Sequence, residues 1–584
     1  MELGGEGDEK KWIHDSSVDY KGRVPLRTST GGWRASLFVI GIEFAERLSY
    51  YGIASNLIMY LTTVLQQDLK TSAKNVNDWL GVTAVSPLLG GFLADAYIGR
   101  FWMVVISSLI YLMGLCLLTL SEFVPSLKPP TCSTSAHICN RSKRPHENAF
   151  FLALYLISLG TGGHKPSLES FGADQFDDDD DGERKKKTSF FNWWYCGLCS
   201  GAMLGVTLIV YIQDNVGWGA GFVALTAVKA VAIVILIIGV PFYRYRVPKG
   251  SPLIPMLQVL TAAIVKRDLT CPSDPSQLYE LVAPGRRRLH HTQRMRFLDK
   301  AAIIPEEPCG NSAAASHKQQ NPWRLATVTQ VEETKQLLSM VPIWLSNLIF
   351  GVSVVQGQTF FIKQGSVMNR SITPNFSIPP ASLLALAALS MAVFVSIYDR
   401  LLVPALRCLT GNDRGITILQ RIGIGMAFSV ACLASAATVE KKRRDSPLPI
   451  SVFWLAPQFT LLGISDVFTL VGLQEYFYDQ VPDNMRSLGI AFYLSVIGAA
   501  SFLSSFIISV VDSMTSRGGA SWFAKDLNHS RLDYFYWLLA VLSGINLCVY
   551  VCVARKYSYK SVDKGHKWRD SLDDATGDEL KLMP

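Results

Sequence analysis

The sequence predicts an all-α membrane protein of twelve transmembrane helices arranged as two six-helix halves. Three observations carry that prediction. Of 584 residues, 49% are hydrophobic and only 17% charged, where a soluble domain carries nearer a quarter charged residues. The apolar residues come in runs of about 20 or more, long enough to cross ~30 Å of hydrocarbon as helices. The longest polar interruption falls mid-chain, with six runs on either side. The same composition excludes a secreted disulfide scaffold, a fibrous chain and a mostly disordered one.

The elements follow in order. Residues 1–35 form a cytosolic N-terminal tail. The first run, 36–65, is too long for a signal peptide and has no small-residue cleavage site, so it reads as a retained span. Eleven more spans follow near 78–96, 101–120, 149–170, 190–211, 220–243, 335–362, 381–402, 417–437, 451–477, 488–512 and 534–553. They define an N-terminal bundle over 36–243 and a C-terminal bundle over 335–553. A cytosolic linker (244–334) joins them, and a cytosolic tail (554–584) ends the chain. Within the linker, Leu253, Ile254, Leu257, Leu260, Thr261 and Ile264 recur at helical spacing, which predicts an amphipathic helix lying on the inner membrane surface. Arg286, Arg287 and Arg288 and the Pro-, Ser- and Gln-rich stretches after them have no periodicity and read as a mobile loop.

Orientation has two independent supports. Most of the 55 Lys and Arg residues fall in segments that an internal N-terminus makes cytosolic, as the positive-inside rule requires. The run Lys441, Lys442, Arg443 and Arg444 dissents, lying outside between spans 9 and 10. All four Asn-x-Ser/Thr sequons, the possible glycosylation sites at Asn140, Asn369, Asn375 and Asn528, fall on the external side. Cys132 and Cys139 share the loop of Asn140, where a disulfide is an open alternative to free thiols. Cys196 and Cys199 lie inside span 5, an improbable place for zinc. The run Asp177 to Asp181 reads as a solvated loop, because consecutive Asp side chains do not converge on one ion. No metal or cofactor is expected.

Each half closes its second span with an acid and an arginine at the internal face, Asp95 and Arg100 in one and Asp399 and Arg400 in the other. There they can pair with neighbouring helix ends as a cytosolic latch. The first copy, with Gly91, Asp95, Gly99 and Arg100, resembles the signature loop of the major facilitator superfamily. That superfamily sets two six-helix halves around a central cavity.

Charges in the spans are few, and each costs at least ~2.5–3.5 kcal/mol near the bilayer centre, so an intramembrane ionisable group is a functional hypothesis by default. Span 1 holds Glu43, Glu46 and Arg47, spaced to share one helix face. Two carboxylates beside one guanidinium cannot both be fully paired, and the less paired one can take and release a proton near neutral pH. A fixed ion-pair cluster is the bland alternative. Span 4 carries Lys165 among Gly160, Gly162, Gly163 and Pro166, residues that allow close helix approach and a kink. Span 10 offers Asp466 as its partner, and a breakable Lys165–Asp466 pair between the halves would make a gate. His164 reads as a hydrogen-bonded packing residue, and Lys229 and Arg421 as snorkelling or packed cations.

At these residues the chain resembles the plant nitrate and peptide transporter family, the plant branch of the proton-dependent oligopeptide transporters. The marks of the resemblance are Glu43, Glu46 and Arg47 followed by Ser49, Tyr50, Tyr51 and Gly52; Gly172 to Asp177 after span 4; Phe190 to Trp193 opening span 5; and Lys249 to Pro252 at the start of the linker. The Asp466 segment with Gln474 to Tyr478 is most similar to the fifth plant subfamily. The resemblance implies a proton symporter working by alternating access. In it Glu43, Glu46 and Arg47 form the coupling site, Lys165 is the lysine needed for transport, Asp466 is a shortened version of its glutamate partner, and Tyr50 and Tyr51 line the substrate cavity. It departs at Val354, where a nitrate-binding histidine stands in the best-known member, at Met103, where that member has a phosphorylated threonine, and at Cys199, which replaces an asparagine.

Two classes of function follow. The first is a proton-coupled symporter for nitrate or small peptide-like solutes in a plant plasma or vacuolar membrane, with plant metabolites such as glycosides or hormones as alternative cargo. Its partners are a small-molecule substrate, protons and the lipid bilayer, with no nucleic acid, and it is expected to be a monomer. The second is a non-transporting receptor or sensor that signals through the linker. An enzyme is not expected, because no nucleophile–base pair, metal spacing or phosphate loop of useful specificity is present.

Overall fold

A computed structural model describes residues 12–13, 17–127, 144–177, 180–246, 248, 250, 253–270, 272, 274, 277–280, 291–304, 321–374, 376–411, 415–481, 486–517, 521–524 and 527–557. Its N-terminal half contains α1 (Gly32–Ala54), α2 (Leu69–Leu93), α3 (Arg100–Phe123), α4 (Arg144–Ala173), α5 (Asp181–Leu204) and α6 (Trp218–Ile238). The linker contributes α7 (Leu253–Val265). The C-terminal half contains α8 (Val328–Ser346), α9 (Leu348–Gln356), α10 (Leu384–Ile397), α11 (Ile418–Asp445), α12 (Ala456–Gln480), α13 (Arg486–Arg517) and α14 (Leu532–Lys556).

Among the described residues, nine helices are long and apolar enough to cross a membrane. The pair Val328–Ser346 and Leu348–Ser366, bent by 44°, supplies a tenth span. The other two predicted spans are α1 and α4, of 23 and 30 residues. Length does not disqualify them. They are the helices that carry Glu43, Glu46 and Arg47, and Lys165 and Glu169, so apolarity alone passes them over. At the bend, Asn546 Nδ2 donates to the Ser346 carbonyl at 2.7 Å, satisfying backbone that the broken helix would otherwise leave without a partner.

Within the N-terminal half α3 and α2 pack on α4, and α5 and α6 on α1; within the C-terminal half α12 and α14 pack on α11, and α13 on α9. Glycine makes the α2–α4 crossing possible. A Cβ on Gly90 would meet the Gly162 carbonyl oxygen at 2.3 Å, closer than any side chain tolerates. The halves meet along α2 and α13. The contacts run from Lys70 Nζ with Asp512 Oδ2 (2.9 Å), through Asn77 with Ser504 and Asp78 with Ser505, to Val85 against Gly498. Further along α2, Leu89 and Leu93 are exposed. The outer ends of the halves are therefore joined, and the contact does not continue to the inner ends.

The linker is more structured than its composition suggests. Val259, Ala262, Ala263, Leu298, Ala301, Ala302 and Val331 form a small core of their own. Ile254, Leu257 and Ile264 of α7 stay exposed, the apolar face that a membrane-surface helix needs. Residues 286–288 lie outside the described residues, as do Cys132, Cys139, Asn140 and Asn375. The N-terminal tail joins the start of the linker, where β1 (Ser17–Val18) pairs antiparallel with β2 (Tyr245–Arg246).

Two local expectations are corrected. The basic run 441–444 is the last turn of α11 and not a loop, and its charges have local partners: Arg443 with Glu440 (2.8 Å), Arg444 with Asp533 (2.7 Å), and Lys442 over the Trp454 ring. Charge compensated in this way explains why the run violates the positive-inside pattern. Asp177 and Asp180 are not simply solvated. Both pair with Arg27, at 2.7 and 2.6 Å, and the Asp180 side chain caps α5 by accepting from Glu183 N. Asn369 and Asn528 are exposed at the outer end, and the Asn528 side-chain oxygen accepts from Arg443.

Candidate functional site

The site begins on α1. Its helical spacing brings Glu43 and Arg47 into an i,i+4 pair with Arg47 Nε 2.6 Å from Glu43 Oε1, while Glu46 Oε2 lies 3.1 Å from the same nitrogen. All three side chains are buried. Only Glu43 Oε1 accepts an aligned hydrogen bond from Arg47; Glu43 Oε2 and both oxygens of Glu46 have no hydrogen-bond partner. One guanidinium thus serves two carboxylates unequally, and Glu46 is the less satisfied, as the spacing implied.

Beside this cluster, Tyr50 stacks on Trp79 with ring centroids 5.8 Å apart and meets Tyr51 edge-on at 5.2 Å. Lys165 Nζ lies 5.9 Å from the Tyr50 ring centroid. Lys165 faces the α1 charges: its electrostatic neighbours are Arg47, Glu46, Glu43 and Glu169.

The expected Lys165–Asp466 pair is not formed: neither residue has an ion-pair partner among the described residues, and Asp466 Oδ1 is buried without a hydrogen bond. The reason is depth. Lys165 is eight residues from the inner end of α4 at Ala173 and Asp466 fourteen from the inner end of α12 at Gln480. At 1.5 Å per residue their distances from those helix ends differ by roughly 9 Å. Asp466 instead shares electrostatic reach with Tyr51, Cys432 and Tyr493.

Sequence reasoning missed Glu169, one helical turn beyond Lys165 and electrostatically coupled to Arg47 and Lys165. The i,i+4 spacing from Lys165 was the available signal. Of the two readings of Lys229 on α6, snorkelling or packed, the structure has the second. Instead of snorkelling, its side chain is fully buried and its Nζ lies 4.5 Å over the Tyr111 ring. His164 likewise packs with neither ring nitrogen hydrogen-bonded.

At the inner face, the first latch is formed. Arg100 pairs with Asp95 at 3.0 Å and with Asp174, at the end of α4, at 2.7 Å, and Arg246 approaches Asp174 at 3.4 Å. Burial pushes the Asp174 carboxyl above its ordinary range, and Arg100 opposes that push. The second copy differs from expectation. Asp399 and Arg400 are exposed on a π-helical turn (Tyr398–Leu402) and form no ion pair among the described residues. Arg421 takes that place, pairing with Glu475 at 3.3 Å, donating to the Val467 carbonyl and stacking on Tyr398. A π-helical turn (Ala94–Ile98) marks the equivalent point in the first half.

One group in the linker has metal-like proximity: His291, Asp299 and Glu332 offer ligand atoms within 4.8 Å of one another. Lys335 Nζ already bridges both carboxylates, at 2.6 and 2.7 Å, so an ammonium provides the positive charge that an ion would bring.

Helices in two halves, joined at one end, with charges buried between them, define a membrane transporter of the major facilitator fold. Solved structures have the same arrangement. The chain is similar to an auto-inhibited POT family peptide transporter (TM-score 0.69, 20% identity, 91% of this chain and 98% of that one) and to the POT family transporter PepTSo (TM-score 0.67, 19% identity, 90% and 99%). The POT family model matches residues 101–524. Two Arabidopsis thaliana proteins, NRT1/PTR FAMILY 5.7 and 5.6, are each 57% identical to this chain. The matches cover 95% of this chain in both cases, with 93% of the first relative and 96% of the second. The chain belongs to the POT family, a family of transporters and not of enzymes, and these relatives carry the fifth-subfamily designation.

Proposed function

We propose that this protein is a proton-coupled symporter that moves nitrate or small peptide-like solutes by alternating access, driven by the proton gradient without a cofactor. One observation carries the reading: of the four buried carboxylate oxygens of Glu43 and Glu46, only one accepts a hydrogen bond from Arg47. A carboxylate so placed gains by taking a proton, and a charge change at that site alters how α1 pairs with α4. Protonation of Glu46 loosens its hold on Arg47 and Lys165, leaving a net positive charge beside Tyr50 to draw an anionic group of the substrate. The plasma membrane or the vacuolar membrane is the proposed site, with the monomer as the working unit.

Expression in oocytes tests this. Adding nitrate or a dipeptide at acidic external pH is expected to give inward current that is lost in Glu46→Gln and in Lys165→Ala. Current that survives both changes at normal surface expression overturns the mechanism.

A further inference from the structure

The coupling cluster has a second cation that the α1 motif does not contain. Lys229 on α6 is fully buried and its Nζ has no hydrogen-bond partner. The Nζ lies over the face of Tyr111, at 4.5 Å. A ring face offsets part of the cost of a buried ammonium, but an ammonium in a poorly solvated interior also needs a counter-charge. The charged groups that face Lys229 are Glu46, Glu43 and Arg47 from α1, with His164 of α4 beside it. Glu43 is held by Arg47 in an aligned hydrogen bond. Glu46 is not, and so it is the carboxylate left to balance Lys229.

The surroundings are unusually rich in unpaired polar atoms. His164 Nδ1 and Nε2 and Lys229 Nζ are buried without hydrogen bonds, and so are both oxygens of Glu46, of which Oε2 has only the 3.1 Å ion pair with Arg47. They come from three helices, α1, α4 and α6, and such a concentration is rare in settled packing. The charges around it also balance. Glu43, Glu46 and Glu169 supply three negative charges, and Arg47, Lys165 and Lys229 three positive ones. Without Lys229 the cluster holds one excess negative charge and would keep a proton; with it, the empty site is neutral and releases the proton readily.

We propose that Lys229 is a positioning residue for proton coupling: its ammonium is the counter-charge of Glu46 and sets the pH at which that carboxylate loads and unloads. The inference rests on the proton-symport reading and deepens it. The groups facing Glu46 are Arg47, Glu43, Tyr50 and Tyr51 on α1, Tyr111 on α3, Lys165 on α4 and Lys229 on α6. Of the cations, Arg47 is shared with Glu43 and Lys165 with Glu169, so removal of Lys229 is expected to be felt at Glu46.

The test uses the full chain in oocytes without any substrate, reading charge movements after voltage steps while external pH is varied. In Lys229→Gln the midpoint of the pH dependence is expected to move alkaline by about one pH unit, a tenfold tighter hold on the proton, and to return in Lys229→Arg. A purely packing role would not move this midpoint, so a Lys229→Gln protein at the surface with the wild-type midpoint overturns the proposal. If Lys229→Gln does not reach the surface, the Glu46→Gln/Lys229→Gln protein decides. Removing both charges should restore surface expression if they are counter-ions, and failure to do so overturns the assignment. Absence of any pH-dependent movement or proton-driven flux in the wild type would instead sink the symport reading, and this inference with it.

Discussion

Lys70 Nζ lies 2.9 Å from Asp512 Oδ2, an ion pair that ties the outer end of α2 in one half to that of α13 in the other. The pair is partly exposed, and such pairs are worth ~0.2–1 kcal/mol. Asp512→Asn is therefore expected to raise the outward-parted population by up to about fivefold and not to unfold the protein. Spin labels on the outer ends of α2 and α13 would report it as growth of the longer-distance population. An unchanged distance distribution would show that the pair has no part in closure.

The α2–α4 crossing should be intolerant of a single methyl group. In Gly90→Ala the new Cβ meets backbone at Gly162, which cannot rotate away, and overpacking of this kind costs about 1–3 kcal/mol. Thermal unfolding of the purified protein should fall and flux should drop. Gly544→Ala, where nothing lies within 4 Å of the added Cβ, serves as the control and should change neither.

The two inner-face motifs should respond differently. Asp174 accepts two bonds from Arg100, at 2.9 and 2.7 Å, and bonds to charged groups contribute about 1.5–3 kcal/mol each. Asp174→Asn should lower the unfolding temperature clearly, and Asp399→Asn should not. Equal losses in the two variants would mean that the second acid makes a contact this conformation does not contain.

Docking of the linker should strengthen with rising pH. Lys266 donates to the Ala301 and Ile303 carbonyls, and burial pushes its ammonium from an ordinary 10.5 down to about 8. Below 8, docked and undocked linkers both carry the proton and the docked form bears the full burial penalty. Between 8 and 10.5 the undocked lysine still holds a proton that the docked one has released, so docking gains as pH rises. Protease cleavage of the linker should slow across that window in the wild type. Lys266→Met should abolish the slowing, and a wild-type rate independent of pH would refute the account.

Much of the architecture could be read from sequence because its cause is local. An apolar run long enough to cross the bilayer specifies a span wherever it occurs, and the spacing of Glu43, Glu46 and Arg47 fixes their shared face without knowledge of any neighbour. What stayed hidden depends on tertiary depth and partners. Asp466 looked like the mate of Lys165 because both charges lie within predicted spans; how far each sits from the end of its helix depends on where α4 and α12 stop, at Ala173 and Gln480. For Lys229 the sequence left snorkelling and packing open, and only the packing of α6 against α3 and α1 decides for packing. The run 441–444 dissented from the charge pattern, and its compensating acid could not be read locally, because Asp533 lies 89 residues from Arg444.

The seam between the halves has a mechanical consequence. It holds α2 to α13 from Lys70 to Val85 and leaves the following stretch to Ile98 free, about 20 Å of helix at 1.5 Å per residue. That free stretch is a lever arm. A tilt of roughly 10° about the last contact would displace its tip by about 3–4 Å, enough to admit or shut out a small solute. A small tilt at the fulcrum is thus converted into a larger movement at the far end, where the passage opens.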